Sequence, residues 1–247
     1  MSELLVKEKE VVIPGEELAS GMDYLPSYGT YRDGDKVLAA KLGAVNVEGK
    51  VIKIFPLSGQ YIPRKYDTII GKVVDVLMSG WRIDTFSPYT AMLPVRDGVM
   101  GFVNKGADLT QYFNLDDYVV TKIFNVTSQK LVDVTMKGPG LRKLKGGRII
   151  RVNCNKVPRI IGKGGSMIGL VKQATNCRII VGQNGLIWID GEPKDEVDAV
   201  SFIKKIENEA HTSGLTEKMK EYLEKTTGKK LAINTESTEE KGEQNEL

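Results

Sequence analysis

Over the first 60 residues the apolar positions come in short runs broken by glycine and proline. Residues 10–13, 36–41 and 50–55 have the length and β-branched content of strands. Pro14-Gly15, Tyr28-Gly29-Thr30 and Asp33-Gly34 between them are turn chemistry. The pattern predicts a small all-β unit ending in the irregular stretch 56–63. Beyond it, strands are predicted at 68–76, 81–86 and 90–94, with a short element at 98–103. A further strand at 118–126 has its return at 131–136, around Thr127-Ser128-Gln129-Lys130. In 118–126 the alternation of Val119, Thr121, Ile123 and Asn125 against Val120, Lys122, Phe124 and Val126 is incomplete, which allows a strand buried on both faces. Short strands at this spacing fit a five-stranded barrel of the OB type.

Gly138-Pro139-Gly140 ends that pattern, and a basic connector at 141–147 marks a domain boundary. The rhythm then changes. A strand at 148–153 precedes a short helix over Val157–Ile161, opened by a proline, and a glycine-rich loop follows. A helix at 166–176 places Met167, Ile168, Leu170, Val171 and Ala174 on one apolar face. Strands at 178–181 and 186–189 are joined by Gly182-Gln183-Asn184-Gly185, a hairpin signal. Pro193 opens a helix to about Ala210 with Val197, Val200, Ile203 and Ile206 as its apolar positions. One more amphipathic helix is predicted at 215–226, and after Gly228 a Glu/Thr/Asn-rich tail with few anchors is expected to be disordered. The implied organisation is a β domain at 1–62, a barrel at 63–137, an α+β domain at 138–210, a C-terminal helix at 211–230 and an acidic tail at 231–247.

Composition adds mainly exclusions. Hydrophobic content of 41% and charged content of 27% are those of an ordinary soluble protein. No run approaches the roughly 18 apolar residues of a membrane helix. The start, MSELLVKEKEVVIPGE, lacks the apolar centre of a signal peptide, so a cytoplasmic protein is expected. Cys154 and Cys177 form no CxxC pair and His211 is the single histidine. A zinc site of the usual type is therefore excluded, and two buried thiols in a reducing compartment are expected. A Ser-His-Asp or Cys-His centre would have to use His211, which sits in a polar stretch. No cofactor is implied.

The net charge of +3 conceals a strong asymmetry. From Lys137 to Ile189 there is no Asp or Glu, while eleven Lys and Arg occur: Lys137, Arg142, Lys143, Lys145, Arg148, Arg151, Lys156, Arg159, Lys163, Lys172 and Arg178. The tail from 231 has five Glu against one Lys. A solvated face normally mixes signs, so the acid-free stretch favours a polyanionic partner, whether RNA, DNA or anionic lipid.

Within it lies Ile160-Ile161-Gly162-Lys163-Gly164-Gly165-Ser166-Met167-Ile168. A G-x-x-G loop between two helices lets a nucleic-acid backbone approach without a Cβ in the way, its amides and the next helix start facing the phosphates. Lys163 places a charge in the loop, and Arg159 lies one turn before it. This is the KH arrangement, which clamps about four nucleotides of single strand. A Walker loop needs G-x-x-x-x-G-K-[ST], which no segment fits, and a dinucleotide fingerprint would need glycine where Met167 stands. The strand after the loop helix would wall the groove, with Arg178 reaching a phosphate or base edge. Ile160, Ile161 and Ile168 either touch bases or pack beneath them. Arg148 and Arg151 are placed at the groove rim or facing solvent.

Residues 148–210 resemble a type I KH domain. The preceding segment resembles an S1 domain, through Ile70-Gly71-Lys72-Val73-Val74-Asp75-Val76, Asp116-Asp117-Tyr118-Val119-Val120 and Val132-Asp133-Val134-Thr135-Met136. S1 domains often display aromatics and a histidine to RNA. Trp81 and Phe86 are such aromatics here, Trp81 equally suited to the core, and no histidine exists in the barrel; Arg82 and Lys122 are further candidate RNA contacts. Val11-Val12-Ile13-Pro14-Gly15-Glu16, Tyr28-Gly29-Thr30-Tyr31-Arg32-Asp33-Gly34 and Val37-Leu38-Ala39-Ala40 resemble the N-terminal domain of exosome cap subunits. Over residues 5–210 the chain is thus similar to the S1/KH cap proteins of the RNA exosome, its intact loop nearer the archaeal members. The resemblance implies a trimeric, non-catalytic cap, alone or mixed with another cap subunit, on a phosphorolytic 3'-to-5' exoribonuclease ring of RNase PH-like subunits. Its N-terminal domains would grip the ring and its S1 domains surround the entry pore, for RNA degradation and processing. A free-standing S1/KH factor of transcription or translation remains the alternative. A phosphorolytic nuclease in its own right is disfavoured, since polynucleotide phosphorylase places KH before S1, after catalytic domains this chain lacks.

Overall fold

The computed structural model describes residues 2–101, 103, 104, 106–210 and 214–228; His211 and the acidic segment 231–247 lie outside them. The chain divides into two compact units, one up to Gly59 and one from Gln60.

Among the described residues of the first unit, eight short strands form two sheets. In chain order they are β1 (Glu3–Leu4), β2 (Val11–Val12), β3 (Glu17–Ser20), β4 (Leu25–Pro26), β5 (Thr30–Asp33), β6 (Lys36–Ala39), β7 (Gly43–Glu48) and β8 (Val51–Pro56). The sheets have the orders β1-β3-β6-β5 and β2-β7-β8-β4. Three strands are legible in the sequence. The other five, among them β3 with Leu18 and Ala19 buried, are missed. Their shared core is Val12, Leu18, Val37, Ala39, Val45, Ile52 and Ile54.

The second unit opens with β9 (Thr68–Leu77), β10 (Gly80–Asp84), β11 (Thr90–Pro94), the one-turn helix α1 (Val95–Gly98), β12 (Tyr118–Val126) and β13 (Val132–Thr135). These strands close into a barrel in the order β10-β11-β13-β12-β9. Only β11 and β13 pair in parallel. Ile69, Val73, Trp81, Ile83, Leu93, Val119, Ile123 and Val134 fill the interior. The element expected at 98–103 is not a strand at its described positions. Pro94 breaks the extended run and Val95–Gly98 turns as a helix, with the Val99 N–H donating to the Val95 carbonyl at 3.2 Å.

The chain then forms β14 (Arg148–Arg151), α2 (Val157–Ile161), α3 (Ser166–Thr175), β15 (Arg178–Val181), β16 (Leu186–Asp190), α4 (Pro193–Asn208) and α5 (Leu215–Thr227). The sheet order β14-β16-β15 is antiparallel throughout. The helices pack on one face of this sheet around Val157, Ile160, Leu170, Val171, Phe202, Ile203 and Met219. On α4 the buried stripe is Ala199, Phe202, Ile203 and Ile206. Val197, expected on that stripe, is 54% exposed. It lies two residues from Ala199, about 200° round the helix, so it points to solvent.

The opposite face of the three-stranded sheet packs on the barrel. Ile70 and Val120 from β9 and β12, Leu144 from the connector, and Leu186 and Trp188 from β16 form a further buried cluster. Val119, Val120 and Thr121 are consequently all buried, so this part of β12 is covered on both faces. The connector is itself paired: the Val120 N–H donates to the Arg142 carbonyl and the Leu144 N–H to that of Tyr118, each at 2.8 Å. Each fully buried aliphatic side chain in such a cluster contributes about 1.5–3 kcal/mol. Among the described residues no helix is long and apolar enough to cross a membrane.

Candidate nucleic-acid interface

Pro158 lies in the first turn of α2 and the helix ends at Gly162, whose N–H donates to the Pro158 carbonyl at 3.0 Å. Gly162 takes φ 75° and ψ 174°, and a Cβ there would stand 2.8 Å from the main-chain nitrogen of Met167. Lys163–Gly165 then make a single tight turn, the Gly165 N–H donating to the Gly162 carbonyl at 3.2 Å. Gly165 has φ 78°, yet a Cβ on it would meet nothing within 4 Å. Backbone conformation alone therefore demands glycine at 165, and the space above it is open. Helix α3 starts at once, with no acid in its first turn. The Ser166 N–H donates to the Lys163 carbonyl, and the helix dipole at this start favours an anion.

Arg159, Lys163 and Gly164 are exposed around this turn. Ser166 is buried as the first residue of α3. Ile160 is fully buried, as is Met167 to within 2%; both pack beneath the loop, so Ile160 does not meet a base. Ile168 is buried and Ile161 half-buried against the same core. Arg178 projects from β15 and pairs with Asp190 on β16. Arg148 and Arg151 stand on β14, the far edge of the sheet from β15, and Arg148 lies 3.6 Å from Glu196. They do not join Arg178 along one wall.

On the barrel the sequence-based candidates separate. Trp81 is fully buried; its indole N–H donates to the Phe113 carbonyl at 2.9 Å and its ring meets Phe113 edge-on. Core packing thus removes Trp81 from any RNA-facing surface. Phe86 is half-buried and stacks on Tyr118. Arg82 is exposed, 3.8 Å from Asp75. Lys122 is exposed, its Nζ 5.9 Å from the centre of the Tyr66 ring. Tyr66, which no sequence pattern singles out, is 66% exposed, with Lys65 Nζ at 5.0 Å from its ring.

A second feature missed in the sequence is the docking of the expected β15–β16 turn on the barrel. Asn184 is 4% exposed. Its Nδ2 donates to the carbonyls of Ile70 at 2.7 Å and Thr85 at 2.9 Å, and its Oδ1 accepts from the Ile70 N–H at 3.4 Å. The Gln183 N–H donates to the Thr68 carbonyl at 2.9 Å. The turn packs against the barrel, and Asn184 at its centre is closed to a ligand. Burial also pushes the thiols of Cys154 and Cys177 up from their usual range.

The order strand, helix, glycine loop, helix, strand, strand, helix, following a five-stranded barrel, defines a KH-domain protein of the S1/KH class. A family model described as KH domain matches residues 147–195. An exosome complex component Rrp4 of Methanothermus fervidus is 43% identical over 221 residues, covering 89% of this chain and 97% of that protein. The Rrp4 component of Thermococcus kodakarensis is 41% identical over 230 residues, covering 90% of this chain and 88% of that one. The crystal structure of a protein described as a candidate exosome complex RNA-binding protein superposes with a TM-score of 0.60 at 32% identity, over 68% of this chain and 97% of that one. The chain belongs to the Rrp4 family of exosome complex components.

Proposed function

We propose that the protein is a non-catalytic RNA-binding cap subunit of the exosome, which captures single-stranded RNA and directs it into a phosphorolytic 3'-to-5' exoribonuclease ring. The glycine loop carries the proposal. It is open above Gly165, flanked by the exposed cations Arg159 and Lys163, and backed by an acid-free helix start. Gly162, Gly164 and Gly165 let the phosphate chain approach the main chain, and Ser166 opens the helix that faces it. Arg178, on the neighbouring strand, borders the groove. The family's membership in the exosome supplies the setting. There the partners are RNase PH-like ring subunits carrying three cap copies, alone or mixed with another cap subunit, in the cytoplasm.

The first unit offers a surface for the ring. Val11, Ala44 and Phe55 are paired across β2, β7 and β8, and Val11 and Phe55 are each 56% exposed. An exposed apolar row of this kind fits a protein partner better than a nucleic acid. Native mass spectrometry of the purified complex tests the proposal. The wild type is expected to carry RNase PH-like subunits. Phe55→Asp is expected to lose them while keeping its affinity for single-stranded RNA, and Gly164→Asp to do the reverse. A stable monomer that never acquires such partners would instead favour a free-standing RNA-binding factor.

A further inference from the structure

A cleft of about 560 Å³ lies where the barrel, the connector and the KH sheet meet. Its volume is within the range of clefts that hold small organic ligands, about 300–1,000 Å³. Thr68 and Val120 form its barrel wall, Arg142 belongs to the connector, Lys172 to α3, and Arg178 and Ile180 to β15. Consecutive residues from Cys177 to Ile180 all line it. Because successive side chains of a strand point to opposite faces, such a row places the cleft along the strand's edge. β15 is the edge strand of its sheet, so main-chain N–H and C=O groups border the cleft.

The cleft is cationic from three directions, one charge from each of connector, helix and strand. Arg178 shares its charge with Asp190, and the Arg142 guanidinium stands 5.6 Å from the Trp188 ring. The cleft also continues along the barrel. Thr68 is paired directly with Lys122 across β9 and β12, and Lys122 is two residues beyond Val120, hence on the same face. Beside Lys122 sits the exposed Tyr66 ring, with the ammonium groups of Lys65 and Lys122 at 5.0 and 5.9 Å from its centre. Tyr66 has φ 75°, a conformation side chains seldom adopt, and its N–H is tied to the Ile123 carbonyl at 2.7 Å. Tyr66 thus joins a strained backbone to a ring that is 66% exposed, and such strain gathers at functional sites.

We infer that single-stranded RNA bound at the glycine loop extends into this cleft, one base stacking on Tyr66 while Arg142, Lys172 and Lys122 neutralise the adjoining phosphates. An aromatic platform beside a cationic groove is the general means of holding single strands without regard to sequence. The cleft thereby makes the KH domain and the barrel one continuous track. This rests on the RNA-binding role of the loop proposed above.

Full-length protein is titrated with an oligonucleotide of about four residues, the span of a KH loop, and with one of about twelve. Each carries 2-aminopurine, whose fluorescence is quenched on stacking. Tyr66→Ala and Arg142→Ala are each expected to weaken the longer ligand about five- to tenfold and leave the shorter one unchanged. Tyr66→Phe is expected to restore both affinity and quenching. Unchanged binding and quenching of the longer ligand in Tyr66→Ala and Arg142→Ala, with Gly164→Asp still defective, would overturn the cleft and leave the loop standing. If Gly164→Asp binds both ligands as the wild type does, the loop itself is refuted, and the inference built on it falls too. Should Tyr66→Ala not fold, Arg142→Ala alters an exposed side chain and decides the matter alone.

Discussion

Asn184 uses both amide hydrogens and its oxygen on main-chain groups of the barrel, at sequence separations of 99 and 114 residues. Truncating it to alanine would leave two buried carbonyls without partners, at a cost of about 1–3 kcal/mol each before relaxation. Asn184→Ala is therefore expected to lower unfolding stability by about 2–4 kcal/mol. Urea denaturation followed by Trp fluorescence measures this, and an unmoved midpoint would refute the role given to Asn184. The sequence shows Asn184 only as a turn residue, because the Gly182–Gly185 pattern reports local backbone geometry and not what the turn touches. Trp81 errs in the other direction. Aromatics on S1 strands are candidates for RNA contact, and only the Phe113 carbonyl and ring at its side reveal a core residue. The tight turn of the glycine loop between two helices was legible, since its geometry is written in consecutive residues.

At the scale of elements, the end of α4 holds the start of the loop's first helix. The Glu207 carboxylate accepts from the Asn153 N–H at 2.7 Å and from Lys204 Nζ at 2.9 Å, while the Glu207 carbonyl accepts from Lys156 Nζ at 2.8 Å. Burial alone would raise the pKa of Glu207. The Lys204 ammonium, the Asn153 N–H and the charge of Lys156 outweigh it and hold the carboxyl below its ordinary value of 4.5. A depressed carboxyl stabilises the fold above its unfolded pKa, and that contribution is lost as pH falls through the folded value. Stability should thus decline as pH drops below about 4.5, and Glu207→Gln should flatten the decline while costing roughly 1 kcal/mol at neutral pH. Thermal melts between pH 3 and 7, values chosen to bracket the carboxylate range, compare the two; parallel curves would exclude Glu207 as a contributor. Helices α2 and α3 and strands β11, β12 and β15 stand where the sequence puts them, α3 and β12 because each carries a buried face long enough to repeat. The element expected at 98–103 fails because Pro94 and the α1 turn precede it.

For the whole molecule, the cations of the acid-free stretch from Lys137 to Ile189 are spread over the connector, β14, the glycine loop with its two helices, and β15. RNA affinity should accordingly fall linearly with salt on logarithmic axes, and Lys163→Ala should reduce the slope by about 0.7, the value of one single-strand phosphate contact. Fluorescence anisotropy at several salt concentrations tests it, and a flat response would remove phosphate contacts from the account. The architecture of β unit, barrel and α+β domain was legible from changes in rhythm along the chain. The welding of barrel to KH sheet was not, since Ile70, Val120, Leu144, Leu186 and Trp188 meet from three segments that look independent. That cluster limits how the chain can be cut. A gene fragment ending before the connector would uncover Ile70 and Val120, and one beginning after it would uncover Leu186 and Trp188. Each would carry a sticky apolar face into solution. The smallest transplantable module for engineering an RNA-gathering arm is therefore the barrel, connector and KH sheet together, moved as one piece.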